Sequence, residues 1–239
     1  QDPFLQNMYK YMVFLLQFLA YLSIVPMVLY AEWWHIIVSL VMYFLFQCFG
    51  MIMGYHRLLS HRSFNCPIWF EKLIVFFATF SLTGPAIDWV AIHRAHHQFA
   101  DTDKDPHSPD FLGTLRVQFL TMFTNIKIKF ASDLIKTPFY RFQRKHYASI
   151  IGTYGLLLFL IDPMAPIYAW LFPAAGVLTF GTMILSTSHR NFKPNNDFTL
   201  ALLTFGDGFH KTHHDDPNKY RLHKWDICGL IIERLFKNA

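Results

Sequence analysis

Charge is scarce in this chain. Only 15% of its residues are Asp, Glu, Lys or Arg, against roughly a quarter in ordinary globular proteins. Cysteine is scarcer still. Cys48, Cys66 and Cys228 are too few and too scattered for a disulfide framework or a thiolate metal site. No flexible linker, internal repeat or low-complexity stretch divides the sequence, so residues 1–239 read as one domain. No small-residue cleavage site follows the first apolar run, which argues against a signal peptide. The start, Gln1-Asp2-Pro3, lacks Met and suggests a processed or truncated terminus.

What fills the chain is apolar. Hydrophobic residues make up 53%, with 26 Phe, and mean hydropathy is +0.25. The net charge of +5 and an isoelectric point of about 9.1 would suit nucleic acid in a soluble protein. Here the long apolar runs make a lipid bilayer the partner and basic flanking loops the explanation. Residues 11–30 and 34–54 carry no formal charge over 20 and 21 positions, enough to span about 30 Å of hydrocarbon. A short Ala31-Glu32-Trp33 turn joins them. Residues 147–162 and 164–187 read as a second hairpin, the first of these beginning near His146 or forming a re-entrant segment.

Histidine is the exception to the scarcity of polar chemistry. Nine of thirteen histidines fall in patterned positions: His56-Arg-Leu-Leu-Ser-His61, His93-Arg-Ala-His96-His97, His189, and His210-Lys-Thr-His213-His214. On a helix the first His of a His-x-x-His-His converges with both later ones. The adjacent pair diverges by about 100 degrees, so each such box can serve two metal ions. His56 and His61, five apart, match an α-helix poorly, which places His61 just past a helix end. Nine neutral ligands suit two ions. A cluster of imidazoles without Cys favours a redox metal, iron, although zinc or copper would accept the same donors and zinc could replace iron during expression. Asp101, Asp103, Asp105, Asp207 and Asp215 flank the boxes and are candidates to orient the rings.

If the first two boxes bind the same metals, they lie on one side of the membrane. A crossing between them would separate them by about 30 Å. Residues 68–88 are therefore expected in the interface, with residues 114–144 as a second interfacial stretch. The expectation is an all-α integral membrane protein of four transmembrane helices, interfacial helices and a histidine-rich di-metal domain. The metal-binding segments would be residues 55–66, 89–146 and 188–239. Lys and Arg then gather on the box side, and the opposite loops carry only Glu32 and Asp162. That assigns the boxes and both termini to the cytoplasm.

From His56 to about Leu230 the chain resembles the membrane fatty-acid desaturases, closest to the delta-9 acyl desaturase branch that includes stearoyl-CoA desaturase and bacterial relatives. The similarity rests on the three boxes, the tail Asp101-Thr-Asp103-Lys-Asp105-Pro-His107-Ser-Pro109, and Trp225-Asp226. It implies a fold of four spans and two irons. It implies O2-dependent insertion of a cis double bond, at delta-9, into a long saturated acyl chain. The nine histidines would be the ligands. Trp89 would line an acyl tunnel, and Leu40, Tyr43 and Phe44 are candidates for its end. The chain departs from the family in two places. Leu185 stands four before His189, where relatives carry Asn, leaving Ser186 or Ser188 to hold a water. Ala91-Ile92 replaces a charged pair used for CoA, which favours an acyl-lipid or acyl-carrier-protein substrate over acyl-CoA. Little sequence follows the last box, so a separate ferredoxin or cytochrome b5 is the expected electron donor. A hydroxylase or ketolase on the same scaffold, a metal transporter and a non-catalytic metal-binding protein remain alternatives. His35 is expected as an interfacial anchor, His107 in a structural role, and His146 and His223 in solvent.

Overall fold

The centre of the molecule is the second half of one long helix, where almost every side chain is buried. In the computed structural model, which describes residues 3–124, 127–189 and 191–236, the second apolar helix runs unbroken from Trp33 to Ser60. Its second half, Leu45–Ser60, is a wide-turn π-helix with 14 of its 16 residues buried. Sequence placed the end of this span at residue 54. The helix instead continues through the first histidine box. Gly50 and Gly54 let neighbours close on it: a Cβ at Gly50 would lie 2.6 Å from the Ala78 nitrogen. The helix Ile68–Thr79 packs there, about 18 Å long at 1.5 Å per residue and too short to cross about 30 Å of hydrocarbon.

All elements are helices, and no strand occurs among the described residues. Three helices are long and apolar enough to cross a membrane: Lys10–Tyr30, Trp33–Ser60 and Ile167–Thr187. Their outward faces carry exposed Phe18, Leu22, Val28, Leu29, Ile36, Ile37 and Leu40, as expected where the solvent is lipid. The expected fourth span differs from its sequence reading. It is a helix, but it starts at Pro138, where proline is well placed in a first turn. Arg141, Arg144 and Lys145 occupy its early turns, so only residues 147–161 form an uncharged apolar stretch. The charged part is held down by chemistry: Arg144 pairs with Asp88 at 2.5 Å, and Tyr140 donates to Glu71. Gln143 donates to Tyr55 and Thr79 and accepts from the Ala86 amide. The described residues of 114–124 and 127–136 form short helical turns, and residues 125 and 126 of this expected interfacial stretch lie outside the described residues. Arg190 and residues 237–239, assigned to the box face by sequence, lie outside the described residues.

Two arginines, Arg57 buried and Arg94 half-buried, tie the box-bearing elements together. Arg57, 2% exposed, meets Asp226 through both carboxylate oxygens, at 3.1 and 2.9 Å, and donates to the Tyr220 carbonyl. Asp226 also caps the helix Ile227–Leu235 by accepting from the Gly229 amide, and accepts from the Leu222 amide. Gly206 faces this carboxylate so closely that a Cβ would sit 2.0 Å from it, at a φ of +124° that favours glycine. Arg94, inside the second box, donates to the Leu59 and Ser60 carbonyls at the open end of the central helix and to Asp133. Those carbonyls have no partner within their own helix.

Removing Asp226 strands a buried guanidinium. Asp226→Ala is expected to cost about 3–5 kcal/mol, read as a lowered unfolding temperature in detergent. An unchanged transition would show that Arg57 carries no such dependence.

Candidate metal centre

The nine box histidines come together in two groups. His56, His61, His93, His97 and His213 form one, and His96, His189, His210 and His214 the other, with ligand nitrogens within 4.8 Å of one another in each. Local structure explains the sorting. On the helix Ala86–Phe99, His93 and His97 are four apart and enter the first group, while His96 turns to the second. The short helix His210–Asp215 does the reverse. His210 and His214 enter the second group and His213 the first. The five-residue spacing of His56 and His61, awkward for an α-helix, suits π-turns. The His61 amide donates to the His56 carbonyl at 3.2 Å, an i to i+5 bond. His61 stands at the helix cap, one residue past its end.

The nitrogen spacing decides what the groups can hold. Nε2 atoms approach at 2.8 Å (His61 to His93), 3.0 Å (His56 to His213) and 2.9 Å (His213 to His97) in the first group. In the second, those of His189, His210 and His214 form a triangle of 2.9, 3.1 and 3.3 Å. Two imidazoles about 2.1 Å from a shared ion, at bond angles from octahedral to tetrahedral, stand about 3.0–3.4 Å apart. Hydrogen bonds alone serve such a triangle poorly, because His189 commits its Nδ1 to Asp101 and offers only a lone pair at Nε2. A cation between the nitrogens satisfies all three.

Three carboxylates fix ring orientation. Asp207, Asp105 and Asp101 accept from Nδ1 of His56, His96 and His189 at 2.8, 2.9 and 2.9 Å, leaving each Nε2 facing its group. Burial alone would raise the Asp207 and Asp105 carboxyls, but their imidazole partners hold both below the usual range. Burial, and then the neighbouring His56, push His61 down to about 2. His93, His210 and His213 fall well below their ordinary value through burial and then neighbouring histidines. Burial thus favours the neutral form of these four rings, the state a metal requires. Two of the flanking acids do not reach a ring. Asp103 is exposed in its loop, and Asp215 pairs with Lys211, one turn back on the solvent side.

A cavity leads from the histidines into the apolar helices. His56, His93, His107 and His210 line it, then Trp89, Met51, Gln47, Gln17, Leu178 and Gly181. Trp89 lies flat on His93, ring centres 4.9 Å apart. The other expected tunnel residues are elsewhere. Leu40 is 63% exposed on the outer face. Tyr43 donates to the Leu203 carbonyl, and Phe44 packs on Phe49 and Phe205. The π-turns account for the shift, since they place 47, 51 and 56 rather than 40 and 44 on one face. Sequence reasoning missed Gln47, although a mid-span amide was its signal. Leu185 lines the cavity, Ser186 is committed to Gln118, and the Ser188 hydroxyl is buried with no hydrogen bond. His107 is buried, held down to about 3 by burial and by His96. His35 is likewise buried, accepting from the Glu32 amide.

Residues 31–226 match the sequence model of the fatty acid desaturases, a span that takes in every histidine of both groups. The chain belongs to the fatty acid desaturase family. It is 29% identical over 213 residues to the sn-1 stearoyl-lipid 9-desaturase of Anabaena variabilis, covering 82% of this chain and 78% of that one. It is 30% identical over 230 residues to the sn-1 stearoyl-lipid 9-desaturase of Synechocystis, covering 87% and 70%. A chloroplastic palmitoyl-monogalactosyldiacylglycerol delta-7 desaturase of Arabidopsis thaliana is 30% identical over 223 residues, covering 85% of this chain and 60% of its own. This desaturase is an oxidoreductase of lipid metabolism, with apolar helices and histidine clusters suited to a membrane and to metal.

Cutting one carboxylate anchor frees a ring to turn. Asp105→Asn is expected to weaken metal retention about 10–100-fold, measured as bound metal per chain across a chelator titration. Asp103→Asn and Asp215→Asn should behave as the unaltered protein; equal losses in all three would contradict the anchoring role.

Proposed function

We propose that this desaturase inserts a cis double bond, at the delta-9 position, into a long saturated acyl chain carried by a membrane lipid. The observation that carries the reading is the cavity itself, which has histidine groups at one end and apolar helix surface at the other. The nine histidines are the ligands of two irons, five on one and four on the other. Zinc fits the same nitrogens and can displace iron during expression. The iron pair, when bound, supplies with O2 the oxidising power that no side chain has. The overall change takes two hydrogens from adjacent methylenes. With O2, two electrons and two protons, it gives one alkene and two waters. The electrons come from a separate donor protein, a ferredoxin or cytochrome b5.

The protein contributes position. Trp89 offers a flat wall beside His93, where a methylene pair can be held against the metal edge. Met51, Val177 and Leu178 exclude water from the channel. Asp101, Asp105 and Asp207 keep three rings in the metal-binding tautomer. The lipid carrier is supported by the substrates in the relatives' names and by Ala91-Ile92, which offers no charge to a soluble carrier.

In the bilayer we place four crossings, the fourth using residues 147–161, with the helix Ile68–Thr79 in the interface. Both termini and the metal groups face the cytoplasm. The short length of Ile68–Thr79 supports this, as do the basic residues at the start of the helix Pro138–Ile161.

Cells expressing the chain are expected to gain a monounsaturated fatty acid that His96→Ala cells lack, by gas chromatography with double-bond localisation. The same acid in both would remove the histidines from the chemistry. Gly181→Val should shift the product toward shorter chains, because a side chain there enters open cavity beside Gln47. Phe44→Ala should leave chain length unchanged.

A further inference from the structure

A second hollow lies on the flank of the molecule, between the first helix and residues 112–121. Its volume of about 880 Å³ falls in the range of small-molecule sites, roughly 300–1,000 Å³. Gln17, Thr121, Leu178 and Thr182 line both this groove and the histidine cavity, so the two adjoin across these four side chains. Phe18, Leu115 and Phe119 at its rim are exposed. They share the side of the molecule on which the first span shows apolar residues to its surroundings. The outer wall is held in place by Gln118, which donates to Thr182 at 2.6 Å and to the Thr179 carbonyl, and accepts from Ser186. Tyr21 meets Phe119 edge-on across the groove, ring centres 5.9 Å apart.

We infer that this groove is a lateral entrance through which an acyl chain of an intact bilayer glycerolipid reaches the histidine centre. The inference rests on the acyl-lipid reading above and adds the route. A chain already in the leaflet meets chiefly apolar side chains from Phe18 to Leu178, with uncharged Gln17, Thr121 and Thr182 where the groove adjoins the cavity, so it keeps most of its hydrocarbon surroundings. A thioester on a soluble carrier would have to arrive from water, and a groove rimmed by exposed Phe and Leu offers that carrier nothing. Only Arg116 among its lining residues is charged, so the groove selects the chain, and the ester-linked headgroup stays at the interface.

The test uses the metal-loaded full chain in vesicles of distearoyl glycerolipid, with Cys66→Ser to remove the one cysteine that is not buried. Phe119→Cys is labelled with a bulky methanethiosulfonate, and Leu157→Cys, equally outward on another helix, serves as the control. The label at 119 is expected to cut lipid desaturation at least tenfold with metal content unchanged, and a thiol reductant to restore it. The label at 157 should do nothing. Undiminished turnover with the label at 119 overturns the inference, as does desaturation only of a stearoyl thioester supplied from water. A glycerolipid bearing a mid-chain diazirine gives a readout independent of turnover. Photolabelling at Leu178 or Thr182 supports the entrance, and labelling confined to outer helix faces overturns it. Labelling there without any turnover would fault the desaturation reading while leaving the route standing.

Discussion

A pair of imidazole nitrogens can share a proton at 3 Å, but three cannot all close on one another that way. Each neutral ring has one lone pair and one proton, and burial strips the water that would otherwise separate like atoms. The second group has three mutually close nitrogens and one ring already committed to Asp101, so its compactness calls for a cation. The rest of the architecture holds that arrangement against its own repulsion. The central helix brings the first box, and Arg94 clamps the end of that helix to the second box through its free carbonyls. Arg57 clamps it to the turn before the last helix through Asp226. Both clamps are cations beside carboxylates and carbonyls, one turn or less from ligand positions, and neither points into the groups.

The same helix solves a second problem. A centre acting on hydrocarbon must be polar enough to hold metal yet open onto a dry channel. A single helix from Trp33 to Ser60 spans both environments, and its wide turns rotate Gln47, Met51 and His56 onto one wall of the cavity. Gln47 carries the cost of that continuity: its amide oxygen is buried and has no hydrogen-bond partner, a burden usually worth about 1–3 kcal/mol. A polar atom kept there, facing the channel, marks where the apolar lining ends.

The histidine pattern made the two histidine groups legible from sequence, down to the division of each adjacent pair between them, because helical periodicity alone dictates it. The apolar runs likewise announced three helices long enough to span. The helix Pro138–Ile161 was expected only from about residue 147, because its basic early turns join the apolar part without a break. The cavity is lined by residues other than Leu40, Tyr43 and Phe44 for a different reason. Counting α-helical turns back from His56 leads to Phe44 and Leu40, and no sequence signal announced that this helix would widen from Leu45 onward. The spacing of His56 and His61 was the one available hint. It marked the helix as unsuited to ordinary turns, and that same irregularity moves the tunnel wall. Which carboxylates reach rings was also beyond sequence. Asp101, Asp103 and Asp105 are alternating neighbours in one loop, and only the loop's path sends two inward and leaves Asp103 outside.

The division of the two boxes has a consequence for how firmly the two groups are related. His96 and His97 are chain neighbours, yet they belong to different groups, and so are His213 and His214. The separation of the groups is thus set twice by the covalent length of one residue, and packing can adjust it only slightly. The two boxes meet face to face: His97 of the first group stacks on His214 of the second, ring centres 4.4 Å apart and 18° from parallel. A displacement of either box helix would therefore move rings in both groups at once, two in one and one in the other. A helix of six residues such as His210–Asp215 has little stability of its own. Its place is fixed by this cross-stacking and by the Asp207 contact three residues before it. The least stable element in the centre is therefore the one most dependent on the centre being formed, so occupation of the groups and folding of residues 207–215 are expected to be one event.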